Sequence, residues 1–178
     1  MKRFYTLLII AIAAGLIGRG AAAPDSEAAI AAERPVVLSA LEIGEVLRSA
    51  NPNLSDAQRL RIGRAVLRSS EAHGLDPQLV TAIILVESGA RPWALSPKGA
   101  VGLMQVMPHM AEPLPLSGNL TTVESNVEAG CWILADNIRR LGEDDGISAY
   151  FWGSNIRGVA YLDRVRAARA TVRRLIES

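Results

Sequence analysis

The sequence predicts an all-α fold with at most a small β-hairpin. Apolar residues recur at steps of three and four between recognisable capping residues, and no stretch alternates apolar with polar residues long enough to build a sheet. At 178 residues, 49% hydrophobic and 21% charged, the chain suits one compact domain with an added segment and is not disordered as a whole. The 19 basic and 18 acidic side chains give no sign of a nucleic-acid partner. A single cysteine excludes an intrachain disulfide framework and a CxxC-type zinc site.

The elements follow in order. Lys2 and Arg3 precede an apolar run from Leu7 to Ile17, and Ala21-Ala22-Ala23 supplies the small-residue pattern of signal-peptide cleavage. The run is about 11 residues long against the ~20 that a membrane-spanning helix needs, so residues 1–23 read as a secretory leader. No cysteine follows for lipid attachment, and no stable membrane insertion is expected after cleavage. Loss of Lys2, Arg3 and Arg19 leaves 16 basic against 18 acidic side chains, a balance of −2. Residues 24–37, rich in Ala, Glu and Pro, read as a linker, and residues 38–178 as the domain.

Within the domain, Ser55 and Gln58 form a capping box ahead of Leu60, Ile62, Val66 and Leu67, and Gly74 after His73 is the left-handed cap. Asp76-Pro77 starts the next helix as N-cap and first residue, and Gly89 stops it after Ser88. Val127, Cys131, Leu134, Ile138 and Leu141 make a helical stripe closed by Gly142. A last helix carries Val159, Leu162, Val165, Val172 and Ile176, with Arg164, Arg166, Arg169, Arg173 and Arg174 among them.

One carboxylate is out of place. From Leu79 to Val86 every residue but Thr81 is apolar, the mark of a helix buried on all sides, and Glu87 follows in its last turn. Desolvation and the negative end of the helix dipole would both raise its pKa, and a Glu protonated near neutral pH is a general acid. The bland reading, a helix that simply reaches solvent at Glu87, is about equally good from this segment alone. Beyond it, Ser96 to Gly102 is a glycine-bearing loop that runs into Leu103-Met104-Gln105-Val106-Met107-Pro108. A Gln in such an apolar stretch either orients a ligand in a cleft or ties down a turn.

Taken together, Glu87-Ser88-Gly89, Gly99-Ala100-x-Gly102-Leu103-Met104-Gln105-x-Met107-Pro108, Asn126-Val127-x-x-Gly130 and Ala149-Tyr150-x-x-Gly153 resemble, in order, the motifs of the soluble lytic transglycosylase (SLT) catalytic domain, a relative of goose-type lysozyme. The likeness covers about residues 75–166. It implies a lysozyme-like helical domain, with any β-hairpin beside the cleft. The implied activity is cleavage of peptidoglycan glycan strands between N-acetylmuramic acid and N-acetylglucosamine. Glu87 would protonate the glycosidic oxygen and then take the proton of the muramic acid 6-hydroxyl as it closes to a 1,6-anhydro end. The resemblance makes Tyr150 the tyrosine that hydrogen-bonds the acid, and places Ser88, Ser96, Met104, Gln105 and Met107 along the sugars. It implies no metal and no cofactor.

Phe151-Trp152 stand where the family pattern has Asn-Ala, so an expected polar contact is replaced by an apolar wall, with one ring expected in the core and one in the cleft; Trp152 is taken as the cleft residue. The Glu112–Gly118 loop also departs from the pattern. Elsewhere the bland readings prevail. His73 and His109 lack metal-ligand spacing, Cys131 lies on an apolar stripe as an inert thiol, and the C-terminal arginines form a solvated face. Glu112, Glu124, Glu128 and Asp136 read as surface charges rather than a second catalytic carboxylate. The expected protein is a periplasmic monomer acting on peptidoglycan glycan strands, with a secretion or motility apparatus as the partner suited to its small size. A hydrolytic muramidase and a catalytically silent wall-binding protein are the alternatives.

Overall fold

The computed structural model describes residues 38–178 except Ser117; the leader and linker expected over 1–37 lie outside the described residues. Seven helices are described: α1 (Ala40–Ala50), α2 (Asp56–His73), α3 (Pro77–Ser88), α4 (Pro108–Ala111), α5 (Val123–Leu141), α6 (Glu143–Trp152) and α7 (Ala160–Ile176). The all-α reading is borne out. Extended pairing among the described residues is limited to two isolated bridges, Leu95 with Val101 and Val101 with Val106. No helix among the described residues is long and apolar enough to cross a membrane.

The caps fall where the sequence places them. Ser55 and Gln58 cap α2 reciprocally, and Gly74 closes it in the left-handed region at φ 65°. Asp76 accepts from the Gln78 N–H at 2.9 Å, Pro77 opens α3, and Gly89 ends it at φ 57°. The sequence reading had no counterpart for α1, although Ser39 and Glu42 form a second capping box there. The short α4 and α6 were likewise not anticipated as helices. Leu141, expected on the buried stripe of α5, emerges to 43% exposure, and Val159 lies exposed ahead of α7.

α3 is the axis of the core, with Leu79, Val80, Ile83 and Ile84 all essentially without solvent contact. The start of α7 lies against the end of α3, where Tyr161 meets Glu87, and Arg169 reaches back to Asp76 at the start of α3, so the two helices run antiparallel. Around them pack Ile43 and Leu47 of α1, Ile62 and Val66 of α2, Leu134 of α5 and Ile147 of α6. Glycines set the closest approaches. A Cβ on Gly63 would run into the Ala40 carbonyl, and one on Gly146 would sit 2.6 Å from the Ile138 Cα.

Gly63→Ala is therefore expected to force α1 off α2 and lower unfolding stability by about 1–3 kcal/mol, the usual cost of overpacking a close-packed contact. Urea unfolding of the variant beside the parent measures it.

Candidate functional site

Glu87 sits in the last turn of α3, between an apolar helix and the surface, and its side chain is half-buried. Desolvation raises its pKa, while a hydrogen bond from Tyr161 and the positive charge of Arg164 act in the opposite direction. The Tyr161 hydroxyl donates to Glu87 Oε1 at 2.6 Å from a ring that is almost wholly buried at the start of α7. Burial, and next the neighbouring Glu87 charge, push the Tyr161 phenol far above its ordinary value, so it remains a donor.

Tyr150, expected to hold the acid, is bonded elsewhere. Its hydroxyl donates to the Met104 carbonyl at 2.8 Å, because the loop turning through Met104 comes within reach of α6 there. It still feels Glu87: burial first, and then the Glu87 charge, raise the Tyr150 phenol well above its usual range. The hydrogen bond to the acid that the resemblance assigned to Tyr150 is made by Tyr161 instead.

The loop through Met104 is also held by Asn126 of α5. Its Oδ1 accepts the Met104 N–H at 2.9 Å, and its Nδ2 donates to the carbonyls of Val101 at 2.8 Å and Leu120 at 3.1 Å. Gly102, at φ 77°, lies so close to this amide that a Cβ would collide with it, and a Cβ on Gly130 would collide with Met104. Gln105 adopts φ 47°, a left-handed conformation that costs a non-glycine residue energy. Its Nε2 offsets that cost by donating to Gly102 O at 2.9 Å and Ala94 O at 3.2 Å. Ser96 is half-buried, and its hydroxyl accepts the Ala100 N–H at 2.9 Å. Met107 is half-buried and precedes α4.

Two expected sugar contacts are corrected. Ser88 is fully buried and its hydroxyl returns to the Ile84 carbonyl at 3.1 Å, because its position on α3 faces the core. The Met104 side chain is fully buried against Gly130; what it offers to its surroundings is backbone. Of the pair Phe151-Trp152 it is Phe151 that faces out, at 50% exposure. Phe151 stacks on Tyr161 at 4.9 Å between centroids and 15° between planes, with the Arg164 guanidinium 6.0 Å from its centroid and 5.5 Å from that of Tyr161. Trp152 is half-buried, edge-on to Phe151, with its indole nitrogen turned inward. Tyr161, Phe151 and Arg164 are the site residues that the sequence reading missed. The available signal was Tyr161 four residues before Val165 on the apolar stripe of α7, a buried position carrying a polar end.

Other side chains singled out in the sequence take structural roles, and the C-terminal arginines are not simply a solvated face. Cys131 is buried and its thiol is pushed up by desolvation, and His73 Nε2 lies 2.7 Å from Glu128 Oε1. Glu124 pairs with Arg61, and Asp136 with Arg139 and Arg140. Arg169 binds Asp76 at 2.5 Å and Glu143 at 2.8 Å, and so fastens α7 to the starts of α3 and α6.

Residues 64–162, more than half the chain, match the family model described as the Transglycosylase SLT domain. The chain is 35% identical over 88 residues to a transglycosylase of Enterobacteria phage PRD1, covering 49% of this chain and 33% of that one. It is 56% identical over 41 residues to an endo-type membrane-bound lytic murein transglycosylase A of Klebsiella pneumoniae, covering 23% and 20%. It is 35% identical over 94 residues to a membrane-bound lytic murein transglycosylase C of Edwardsiella ictaluri, covering 47% and 26%. The matched part is a third or less of each of these curated relatives.

Tyr161→Phe removes the hydrogen bond that favours the Glu87 carboxylate, so the Glu87 pKa is expected to rise further; Tyr150→Phe, which frees only the Met104 carbonyl, is expected to move it less. Carboxyl carbon NMR across a pH titration compares the two.

Proposed function

Because the chain belongs to the transglycosylase SLT domain family, we propose that it is a peptidoglycan lytic transglycosylase that cuts between N-acetylmuramic acid and N-acetylglucosamine and leaves 1,6-anhydro ends. The observation that carries this reading is Glu87: one half-buried carboxyl, its pKa raised by desolvation, gripped by a tyrosine that donates to it.

A single residue serves both halves of the reaction. Protonated Glu87 gives its proton to the glycosidic oxygen as the bond from C1 to that oxygen breaks. The carboxylate so formed accepts the proton of the muramic acid 6-hydroxyl as O6 bonds to C1. Glu87 ends protonated, and no water is consumed. In the carboxylate state the Tyr161 hydrogen bond and the Arg164 charge become stabilising, so both are placed to act midway through the cycle. Ordinary glycosidases need a second carboxylate across the bond. The groups that act on Glu87 are the Tyr161 phenol and the Arg164 guanidinium, and the preference for internal closure over the hydrolytic muramidase rests on membership of the SLT domain family.

Export of the chain and removal of its leader would put the domain in the periplasm beside its substrate. The test is a digest of purified peptidoglycan by the full chain, read by mass spectrometry. Anhydro ends support the proposal, hydrated reducing ends would replace it with a muramidase, and the absence of any release would replace it with a wall-binding protein.

Glu87→Gln is expected to lower the rate by about 100- to 10,000-fold, the usual contribution of a positioned proton donor. The parent's activity should persist into pH values above the ordinary Glu range before falling as Glu87 ionises, since its pKa is raised. The same shift means that the native state holds the proton more tightly than the unfolded chain, so the Glu87 contribution to stability is lost as pH rises through the folded pKa. Glu87→Gln should therefore leave thermal stability at neutral pH equal to or above that of the parent, which calorimetry checks.

A further inference from the structure

Immediately after Glu87 the chain passes through Arg91-Pro92-Trp93 and builds a second concavity. It is a cleft of about 320 Å3 between the end of α1, the start of α2 and this loop. Its apolar base is Leu54 and Pro92, both buried; its walls carry the Asn53 and Gln58 amides, the Arg91 side chain and the indole of Trp93. Trp93 is 70% exposed and Leu95, two residues on, is 73% exposed, so one short loop presents two large apolar side chains to solvent. That loop is not loose. Asn51 Nδ2 holds the Ala90 carbonyl at 2.9 Å, the Ala94 N–H bonds Arg91 O at 3.2 Å, and the Ala94 carbonyl takes both the Gly102 N–H at 2.7 Å and Gln105 Nε2 at 3.2 Å. The indole is therefore presented by a fixed backbone, and the same Gln105 that closes the turn at Gly102 fixes its far side.

We propose that this cleft is an additional saccharide subsite, in which Trp93 stacks on the C–H face of an N-acetylated sugar of the glycan strand while Asn53, Gln58 and Arg91 hydrogen-bond its acetamido and hydroxyl groups. An amphipathic ring beside amides and a guanidinium matches a ligand that is apolar on its ring faces and polar at its rim. Trp93 follows Glu87 by six positions, a reach of at most about 20 Å fully extended, which is within the span of a glycan strand of several sugars. The proposal rests on the reading of the substrate as a glycan strand. Its effect is on grip: a strand held at Trp93 dissociates more slowly from the cutting site, and longer strands gain more than short ones.

The full chain carrying Glu87→Gln, which binds without cutting, is titrated calorimetrically with glycan strands freed of peptide by an amidase. Adding Trp93→Ala is expected to weaken binding about tenfold, the equivalent of one well-stacked ring, and Trp93→Phe to restore most of it. Exposure of the indole keeps the substitution out of the core, and the thermal midpoint of each variant confirms folding. Equal affinity for Trp93→Ala and its parent overturns the subsite. Equal affinity accompanied by a shift from dimer to monomer in sedimentation overturns it in favour of self-association through this face. The parent's digest separates this from the reaction: anhydro ends with unchanged Trp93→Ala affinity leave the transglycosylase and remove the subsite, whereas weakened binding without anhydro ends keeps the subsite and removes the transglycosylase.

Discussion

The segment Leu79–Val86 has no polar face, and the rest of the domain is arranged to satisfy it. A helix of this composition is stable only when covered on every side, and α1, α2 and α7 supply the cover. Because α3 is central, its end is also a definite place: Gly89 stops the helix two residues beyond Glu87, where the core gives way to the surface. The carboxyl is therefore desolvated enough for its pKa to be raised, yet only half-buried. Neither property requires a dedicated device; both follow from where an apolar helix ends.

The loop through Met104 depends on a different economy. Asn126 satisfies three backbone groups of the chain between Val101 and Leu120, and glycines at 102 and 130 let the loop and α5 approach to contact. The strained Gln105 is tolerated because its own amide closes the turn. These residue types are the ones the sequence motifs contain, and their first duty is to shape backbone. Met104 shows this most clearly, with a side chain lost in the core and two backbone groups joined to Asn126 and Tyr150.

What was legible in the sequence was whatever depends on neighbours in the chain. Caps at Ser55, Asp76, Gly74 and Gly89 act over three or four residues, and the apolar run before Glu87 announces burial whatever lies around it. What was not legible depends on residues far apart. The partner of Glu87 is Tyr161, 74 positions away, and nothing local distinguishes it from Tyr150. Ser88 follows the acid in sequence, yet a helix turns about 100° per residue, so the position beside Glu87 faces the core. Of Phe151 and Trp152, Phe151 is the more exposed ring and stacks on Tyr161, whereas Trp152 is half-buried, a division decided by the direction in which α6 approaches Tyr161.

The distance along the chain between Glu87 and Tyr161 has a consequence in time. A ribosome delivers the acid long before it delivers the hydroxyl that orients it, and α7 must be synthesised and docked against α3 before the pair exists. The nascent domain is thus born without its completed site.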